Sequence, residues 1–266
     1  MEQEELDLTR TLELMRGEGD GFTAVLAPNW AQGRAGFGGM VAALGLEAIR
    51  RRAGTDWPLR SLTVAFVGPA VGDLAIEVQP LRAGRSAAFL QAVLRAGDPV
   101  VATVSACFGP DRASELTLHA PAGPDVPPPE ACPEIPLVDG VTPTFLRNLE
   151  IRIAEGRIFD GSGGAELLWW VRHRDVRARG TEAGFVALLD TLPPAGAGLL
   201  TRPAPLSSLT WMVDFPTADF TTDDGWYLLR STADYVGGGF SGQSMTAWTR
   251  SGRLAALHRQ SVAIFA

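Results

Sequence analysis

Cysteine, histidine and tyrosine are scarce in this chain of 266 residues. The two cysteines, Cys107 and Cys132, are too few for a disulfide framework, and their spacing is not that of metal ligands. The sequence also lacks a P-loop and a dinucleotide-binding fingerprint. We therefore expect a protein that holds no metal and no cofactor.

Positive charge and long apolar runs are also in short supply. The net charge is −7 and the pI is near 5.0, which argues against nucleic acid or an anionic membrane as a partner. No uncharged apolar run approaches the roughly 20 residues of a membrane-spanning helix. Residues 1–14 are acidic and polar, unlike a secretory signal. We expect a cytoplasmic protein that binds neither nucleic acid nor a membrane.

Apolar residues, glycine and proline are abundant. Apolar residues make up 46% of the chain and charged residues 20%, so a sizeable packed core is expected and wholesale disorder is excluded. The 30 glycines and 19 prolines punctuate secondary structure, which predicts many short elements joined by turns. The length suits one large domain or two of about 100–150 residues each.

The sequence contains an internal repeat. Residues 58–63 (PLRSLT) recur as 205–210 (PLSSLT), and residues 35–37 (AGF) recur as 183–185. Residues 106–108 (ACF) match 263–265 (AIF) further along, in the same order. The distance between matches grows mainly at the polar turn 216–225, where insertions are tolerated. Two copies of one unit are therefore fused head to tail.

Each copy shows the same order of predicted elements. A glycine-rich stretch, 36–39, opens an apolar helix that ends in arginines before Gly54, and a shorter helix at 184–192 is stopped by Pro193. The predicted strands are 21–27, 59–67, 74–82, 86–95 and 100–108, then 166–174, 206–215, 226–235, 243–249 and 254–265. One helix covering an antiparallel sheet in each copy is an α+β fold.

The repeat also suggests the domain organisation. We expect an N-terminal unit at residues 1–112, a Pro-rich and acidic linker at 113–146, and a C-terminal unit at 147–266. The two units resemble a homodimer joined into one chain. Association into a larger homo-oligomer is left open.

Several motifs resemble a known family. Residues 33–39 (GRAGFGG), 59–66 (LRSLTVAF) and 81–86 (LRAGRS) are similar to the N-terminal half of the double-hotdog thioesterase-like family, which includes acyl-CoA thioesterase II. Residues 237–241 (GGGFS) and 259–265 (RQSVAIF) are similar to its C-terminal half. The resemblance implies a double hotdog, with two antiparallel sheets each wrapped around a helix. It also implies hydrolysis of acyl-CoA to free fatty acid and CoA. The alternative is a protein on the same fold that binds acyl-CoA without hydrolysing it.

The same resemblance implies the site residues. In the family, an Asp, a Ser or Thr and a Gln hold the water that attacks the thioester, and the matching positions are Asp190, Ser208 and Gln260. Ser207 and Thr210 are the alternatives to Ser208. The glycine-rich helix entrance offers backbone N–H groups to the developing oxyanion, and Gly38 and Gly39 are the expected donors.

The repeat predicts that the two copies differ in chemistry. Its spacing places Ala42 opposite Asp190, and Thr103 or Ser105 opposite Gln260, so at this helix position only the second copy carries a carboxylate. Burial of an acid on so apolar a helix is costly without a function or partners. We expect the groove at Ala42 to be filled by side chains or to bind passively. Asp190 could instead cap the helix end or face solvent.

Three other patterns in the sequence are candidates for sites. His258 lies two residues before Gln260, which places both on one strand face. Residues 237–242 come near the G-x-S-x-G pattern of serine hydrolases but lead into a strand, which excludes that class. Two arginine clusters could contact coenzyme A or form a solvated surface: Arg50, Arg51 and Arg52, and Arg172, Arg174, Arg177 and Arg179.

Overall fold

The computed structural model describes residues 5–118, 122–161 and 164–266. Within those residues the α-helices are α1 (Leu8–Leu14), α2 (Gly38–Ala53) and α3 (Glu182–Leu189). The strands are β1 (Arg16–Glu18), β2 (Gly21–Leu26), β3 (Ala31–Gln32), β4 (Ala35–Gly36), β5 (Leu59–Phe66), β6 (Gly72–Ala83), β7 (Ala88–Arg95), β8 (Val100–Phe108), β9 (Leu149–Glu155), β10 (Glu166–His173), β11 (Leu206–Asp214), β12 (Tyr227–Gly237), β13 (Phe240–Thr249) and β14 (Leu254–Ile264). None of the helices in this part of the chain is long and apolar enough to cross a membrane.

Twelve strands form one continuous antiparallel sheet. Their order is β1-β2-β6-β7-β8-β5-β11-β14-β13-β12-β10-β9, and β3 pairs with β4 in a separate ribbon. The first and second halves of the sheet meet where β5 pairs with β11, for example at Val64 and Trp211, both buried. The strand topology is therefore that of two similar units joined edge to edge, in the predicted α+β class.

Helices α2 and α3 pack against each other under the sheet. Helix α2 ends at Gly54, whose φ of 60° is the left-handed conformation that glycine adopts readily. Helix α3 begins at Thr181, whose hydroxyl accepts a hydrogen bond from the Gly184 N–H, and it ends before Pro193 and Pro194. The beginning of α2 lies beside the end of α3, since a Cβ on Gly39 would come within 2.3 Å of the Ala187 carbonyl oxygen.

Most predicted strands match the observed ones to within a few residues. Strand β13 is longer than predicted, because it begins at Phe240 rather than at residue 243. Helix α1 and strands β1, β3, β4 and β9 were not predicted. Helix α1 has only 7 residues. Strand β9 lies at the sheet edge, and a sequence signal for it was present, because Leu149, Ile151 and Ile153 alternate with Glu150 and Arg152.

The Pro-rich segment after β8 has two parts with different surroundings. Residues 113–118 are exposed, and residues 119–121 lie outside the described residues. Further on, Phe145 and Leu146 are buried, and the Phe145 ring stacks on Phe37 with centroids 4.0 Å apart. The end of this segment therefore belongs to the core beside the start of α2, although the whole of 113–146 was expected to be a linker.

Candidate active site

Three side chains from different elements converge at the junction of α2 and α3. The amide Nε2 of Gln260, on β14, donates to Asp190 Oδ1 at 2.7 Å and to Ser208 Oγ at 3.0 Å. Asp190 follows the last residue of α3, and Ser208 lies near the start of β11. The structure therefore brings together the carboxylate, hydroxyl and amide that the sequence singled out.

A β-bulge selects which residue of β11 faces this site. The register between β11 and β14 shifts between Ser208 and Thr210, and the two strands otherwise pair regularly. Ser208 is partly buried, whereas Ser207 and Thr210 are exposed. Bulges re-aim side chains in this manner next to functional sites. The alternatives Ser207 and Thr210 therefore do not reach the site.

Asp190 lies in surroundings that disfavour its charged form. Burial raises the pKa of Asp190 to about 7, while hydrogen bonds from the Gln260 amide and the Gly39 N–H act in the opposite direction. By surface area the residue is only partly buried, so its carboxyl sits in dense protein yet stays within reach of water. A carboxylate of this kind can exchange a proton near neutral pH.

Gly38 and Gly39 face Asp190 from the start of α2, and each is glycine for a steric reason. A Cβ at Gly38 would lie 2.6 Å from Asp190 Oδ2, and one at Gly39 would lie 2.3 Å from the Ala187 carbonyl oxygen. The Gly39 N–H donates to Asp190. Of the two expected oxyanion donors, Gly39 therefore already has an acceptor. Gly38, at the first helical position, has no acceptor within its own helix.

A second glutamine, which sequence reasoning missed, completes the network. Gln243 on β13 is fully buried and lies directly opposite Gln260. Its Nε2 donates to Gln260 Oε1 at 2.9 Å, and its Oε1 accepts from the Ala195 N–H at 3.0 Å. The available signal was an amide on the same strand face as Met245 and Ala247, but recognising its role required the register between β13 and β14.

The two described histidines are not placed as bases. His258 accepts a hydrogen bond from Trp211 Nε1 through Nδ1 at 3.1 Å, and burial lowers its pKa to about 3. His173 contacts the Gly184 carbonyl oxygen through Nε2 at 2.8 Å, and burial lowers its pKa to about 4. Both rings are therefore neutral at ordinary pH.

The strand registers correct the predicted equivalence of the copies. Strand β5 carries a bulge between Leu59 and Ser61, just as β11 does between Ser208 and Thr210, so Leu59 is equivalent to Ser208. Three residues after the equivalent Leu59 and Ser208, Leu62 pairs with Ala106 and Trp211 pairs with Gln260. Ala106 is therefore equivalent to Gln260. The expected counterparts Thr103 and Ser105 are therefore wrong, by three residues and one residue respectively, because short repeated motifs do not reveal where a bulge falls.

The remaining equivalences follow from the same comparison. Leu90 pairs with Ala106 as Gln243 pairs with Gln260. When α2 and α3 are aligned at their first residues, Leu46 rather than Ala42 stands opposite Asp190. Both leucines and Ala106 are buried. The first copy thus has apolar side chains at the positions where the second copy has its polar network.

An ion pair occupies the equivalent junction in the first copy. Arg50 near the end of α2 forms a bidentate pair with Glu182 at the start of α3, with both N–O distances 2.6 Å. Its guanidinium also stacks over the Phe108 ring at 4.0 Å. A cavity of about 260 Å³ beside this pair is lined partly by Leu12 and Leu46.

The arginine clusters are engaged in ion pairs. Arg51 pairs with Glu47 and Arg52 with Asp20, while Arg172 and Arg179 both contact Glu150. The remaining members pair similarly, Arg174 with Glu134 and Arg177 with Asp7 and Glu13. These partners make the clusters part of the surface structure and leave no unpaired set of cations there for a phosphate group.

Sequence comparison identifies related domains in both halves of the chain. Residues 26–109 match the family model of an acyl-CoA thioesterase N-terminal domain, and residues 129–264 match that of an acyl-CoA thioesterase C-terminal domain. No curated protein matches the chain significantly.

Solved structures share the whole architecture. A conserved protein of unknown function with a hotdog fold from Alicyclobacillus acidocaldarius is 26% identical with a TM-score of 0.85, covering 98% of this chain and 99% of that one. A putative thioesterase II from Thermobifida fusca is 21% identical with a TM-score of 0.81, covering 97% and 98%. An acyl-CoA thioesterase II from Mycobacterium marinum is 20% identical with a TM-score of 0.74, covering 96% of each chain. The predicted double-hotdog fold is confirmed.

Proposed function

The chain belongs to the acyl-CoA thioesterase family, and on that premise we propose that it hydrolyses acyl-CoA thioesters to a free fatty acid and CoA. The family supports thioesterase activity in general, and the geometry around Asp190 supports a particular mechanism. A water held between Asp190 and Ser208 attacks the thioester carbonyl carbon, with Asp190 as general base.

The proton and the leaving group can both be accounted for by these residues. As the water oxygen bonds to the carbonyl carbon, its proton passes to the Asp190 carboxylate and negative charge develops on the carbonyl oxygen. When the tetrahedral intermediate collapses, the C–S bond breaks, and Asp190 returns the proton to the departing CoA sulfur. The carboxylate is regenerated, and the products are a fatty acid and a thiol.

Hydrogen-bond direction assigns separate roles to the amide and the hydroxyl. The two N–H bonds of Gln260 Nε2 point to Asp190 and Ser208, so the Ser208 oxygen is an acceptor there and its own O–H is free to orient the water. The pKa of Asp190, raised to about 7 by burial, suits a base that works near neutral pH.

Backbone N–H groups at the start of α2 are suited to the oxyanion. The first N–H groups of a helix have no intrahelical acceptors and lie at its positive pole. Since the Gly39 N–H is directed at Asp190, we assign oxyanion stabilisation to the Gly38 N–H and the fixing of the base to Gly39.

The observation that carries the proposal is the restriction of this polar network to one copy. Leu46, Leu59 and Ala106 fill the equivalent positions of the first copy, so the scaffold folds there without the polar side chains. Burying polar groups is costly unless they are hydrogen-bonded. Their presence in the second copy is therefore best explained by chemistry.

The alternative function is acyl-CoA binding without turnover. Purified protein is incubated with acyl-CoA substrates of increasing chain length, and thiol release is followed with a thiol-reactive dye. Catalysis predicts saturable release that Ser208→Ala lowers at least about tenfold. The adjacent exposed Ser207→Ala is the matched control and should retain full activity. Saturable binding without thiol release from any substrate would instead establish the binder.

A further inference from the structure

Gln243 links the proposed site to the segment that follows Asp190. It is fully buried, its Oε1 accepts from the Ala195 N–H, and its Nε2 donates to Gln260 Oε1. Gln260 is 3% exposed and donates in turn to Asp190 and Ser208. Three hydrogen bonds thus run in series from a backbone N–H to the carboxylate, and a fourth branches from Gln260 to Ser208.

The first bond of this series fixes the direction of all the others. A backbone N–H can only donate, so the atom of Gln243 that faces Ala195 has to be the amide oxygen. The amide nitrogen of Gln243 then faces Gln260, which presents its own oxygen in response. The nitrogen of Gln260 is left facing Asp190 and Ser208, and both of these accept.

The first copy shows that the fold does not need this series. Leu90 and Ala106 occupy the positions equivalent to Gln243 and Gln260, and both are buried. A buried pair of amides is stable only when its donors and acceptors are satisfied, so it is a demanding replacement for an apolar pair. Packing alone does not account for Gln243.

We propose that Gln243 is a positioning residue that locks the Gln260 amide with its nitrogen toward Asp190 and Ser208. This role rests on the proposed hydrolysis, in which Asp190 has to be ionised and Ser208 has to keep its O–H for the water. A reversed Gln260 would present its oxygen to Asp190, and that arrangement suits only the protonated acid. In the native chain, reversal would also bring two amide nitrogens face to face at Gln243 and Gln260.

This fixed orientation of the Gln260 amide by Gln243, called the lock below, therefore favours the ionised form of Asp190. Without Gln243, the protonated Asp190 gains a conformer in which its O–H donates to Gln260 Oε1, so its titration midpoint moves upward. The groups that face Asp190 are Gly38 and Gly39 of α2, Ser208 of β11 and Gln260 of β14. His258, on the same strand face as Gln260, is neutral in this range because burial lowers its pKa to about 3.

Carboxyl titration by NMR tests the lock without relying on turnover. Protein labelled with ¹³C at the Asp side-chain carboxyl is titrated, and the Asp190 resonance is assigned as the one missing from Asp190→Asn. We expect a midpoint near 7 in the native chain and a midpoint about one pH unit higher in Gln243→Leu, which copies the first-copy Leu90. Gln243→Met, an unbranched side chain of similar length, should give the same upward shift. It keeps the test decisive if the leucine variant folds poorly.

Gln91→Leu is the matched control. Gln91 on β7 also makes a cross-strand hydrogen bond, to Ser105 Oγ at 3.1 Å, but it lies in the first copy. It should leave the Asp190 midpoint unchanged. An unchanged midpoint in folded Gln243→Leu and Gln243→Met would overturn the proposal and leave Gln243 as an anchor of the Ala195 segment.

Turnover separates failure of the lock from failure of the proposed function. With acyl-CoA as substrate, kcat of both Gln243 variants should fall about tenfold at pH 7 with little change in KM, and the acid limb of the pH profile should follow the NMR midpoint. A native chain that releases no thiol would refute the hydrolysis, while the NMR midpoints would still decide whether Gln243 orients Gln260. A fall in kcat with an unmoved acid limb would contradict the lock.

Discussion

Asp190 is the residue at which stability and chemistry conflict. Its carboxyl lies in dense protein that disfavours the charge, yet the proposed reaction begins from the carboxylate. The hydrogen bonds from Gln260 and Gly39 favour that carboxylate, but burial outweighs them. The result is a base whose protonation changes near neutral pH, and both activity and stability should report it.

The first prediction concerns the pH dependence of activity. The value of kcat/KM for acyl-CoA should rise with pH through about 7 and then reach a plateau, because only ionised Asp190 can accept the proton from water. Initial rates of thiol release between pH 5 and 9, with stability checked at each pH, measure the profile. A flat profile across pH 6 to 8 would show that the group titrating near 7 is not the base.

The second prediction concerns stability. The folded pKa of Asp190 is about 7, above the ordinary value of 3.8, so its neutral form stabilises the fold at low pH and this contribution is lost as pH rises through 7. The loss is at most about 4 kcal/mol. Asp190→Asn cannot ionise, so its Tm relative to that of the native chain should increase between pH 5 and 8. A Tm difference independent of pH would contradict the raised pKa.

At the residue scale, the family resemblance identified the members of the hydrogen-bonded cluster around Gln260 better than it identified their connections. Asp190, Ser208 and Gln260 followed from the resemblance, because an acid, a hydroxyl and an amide stood at matching positions. Gln243 could not be recognised, since its partner is set by the register of two strands. The direction of its hydrogen bonds is set by the backbone at Ala195, which no pattern in the sequence reveals.

At the scale of elements, the contact between α2 and α3 depends on missing side chains. A Cβ on Gly39 would meet a backbone carbonyl oxygen of α3, at Ala187, which cannot rotate away as a flexible side chain would. The close approach of the helices also delivers the Gly39 N–H to Asp190. Helix packing and site geometry are therefore determined by the same residue.

The third prediction tests this contact. Gly39→Ala should lower the free energy of unfolding by roughly 1–3 kcal/mol because of overpacking. It should also lower kcat, since the start of α2 has to move away from Asp190. Denaturant unfolding and thiol release measure the two effects. Gly21→Ala in β2 is the control, because a Cβ there meets nothing within 4 Å. Native stability in Gly39→Ala would show that the helices tolerate a wider spacing.

Elements with strong local signals were predictable, and those stabilised mainly by neighbours were not. Helix α2 has an apolar pattern of helical spacing and a terminal Gly54, and it was found nearly to the residue. Helix α1 has 7 residues, too few to be stable alone, and is fixed by contacts such as the Thr9 N–H to Asp175. The wrong counterparts of Gln260 arose because a short motif cannot reveal where a bulge falls.

At the scale of the whole molecule, one continuous sheet carries two similar junctions with different contents. Strands β5 and β11 join the halves, so each junction combines the start of one helix with the end of the other. One holds Asp190 and its partners, and the other holds the Arg50–Glu182 ion pair over apolar side chains. Both copies have the same scaffold, but among the described residues only the second copy carries the side chains of the proposed reaction.

The fourth prediction follows from this asymmetry. A non-hydrolysable acyl-CoA analogue should occupy one productive site per chain, and Leu46→Asp added to Asp190→Asn should not restore turnover. Leu59 has no hydroxyl to orient a water, and Ala106 has no amide to contact an introduced carboxylate. Calorimetric stoichiometry measures the number of sites, and thiol release measures turnover.

Two outcomes would contradict this prediction. Turnover in the double variant would show that a carboxylate alone is sufficient. Turnover retained by Asp190→Asn, with an analogue bound near Leu46, would reverse the assignment of the active half.

The most direct test of the central claim is the kcat of Asp190→Asn at saturating acyl-CoA. Asparagine keeps the size of the side chain and can still contact Gln260, but it cannot accept the proton from water. We expect kcat to fall at least about 100-fold while the Kd of a non-hydrolysable analogue stays within about threefold of the native value. A kcat close to that of the native chain would remove Asp190 from the chemical step and contradict the proposed mechanism.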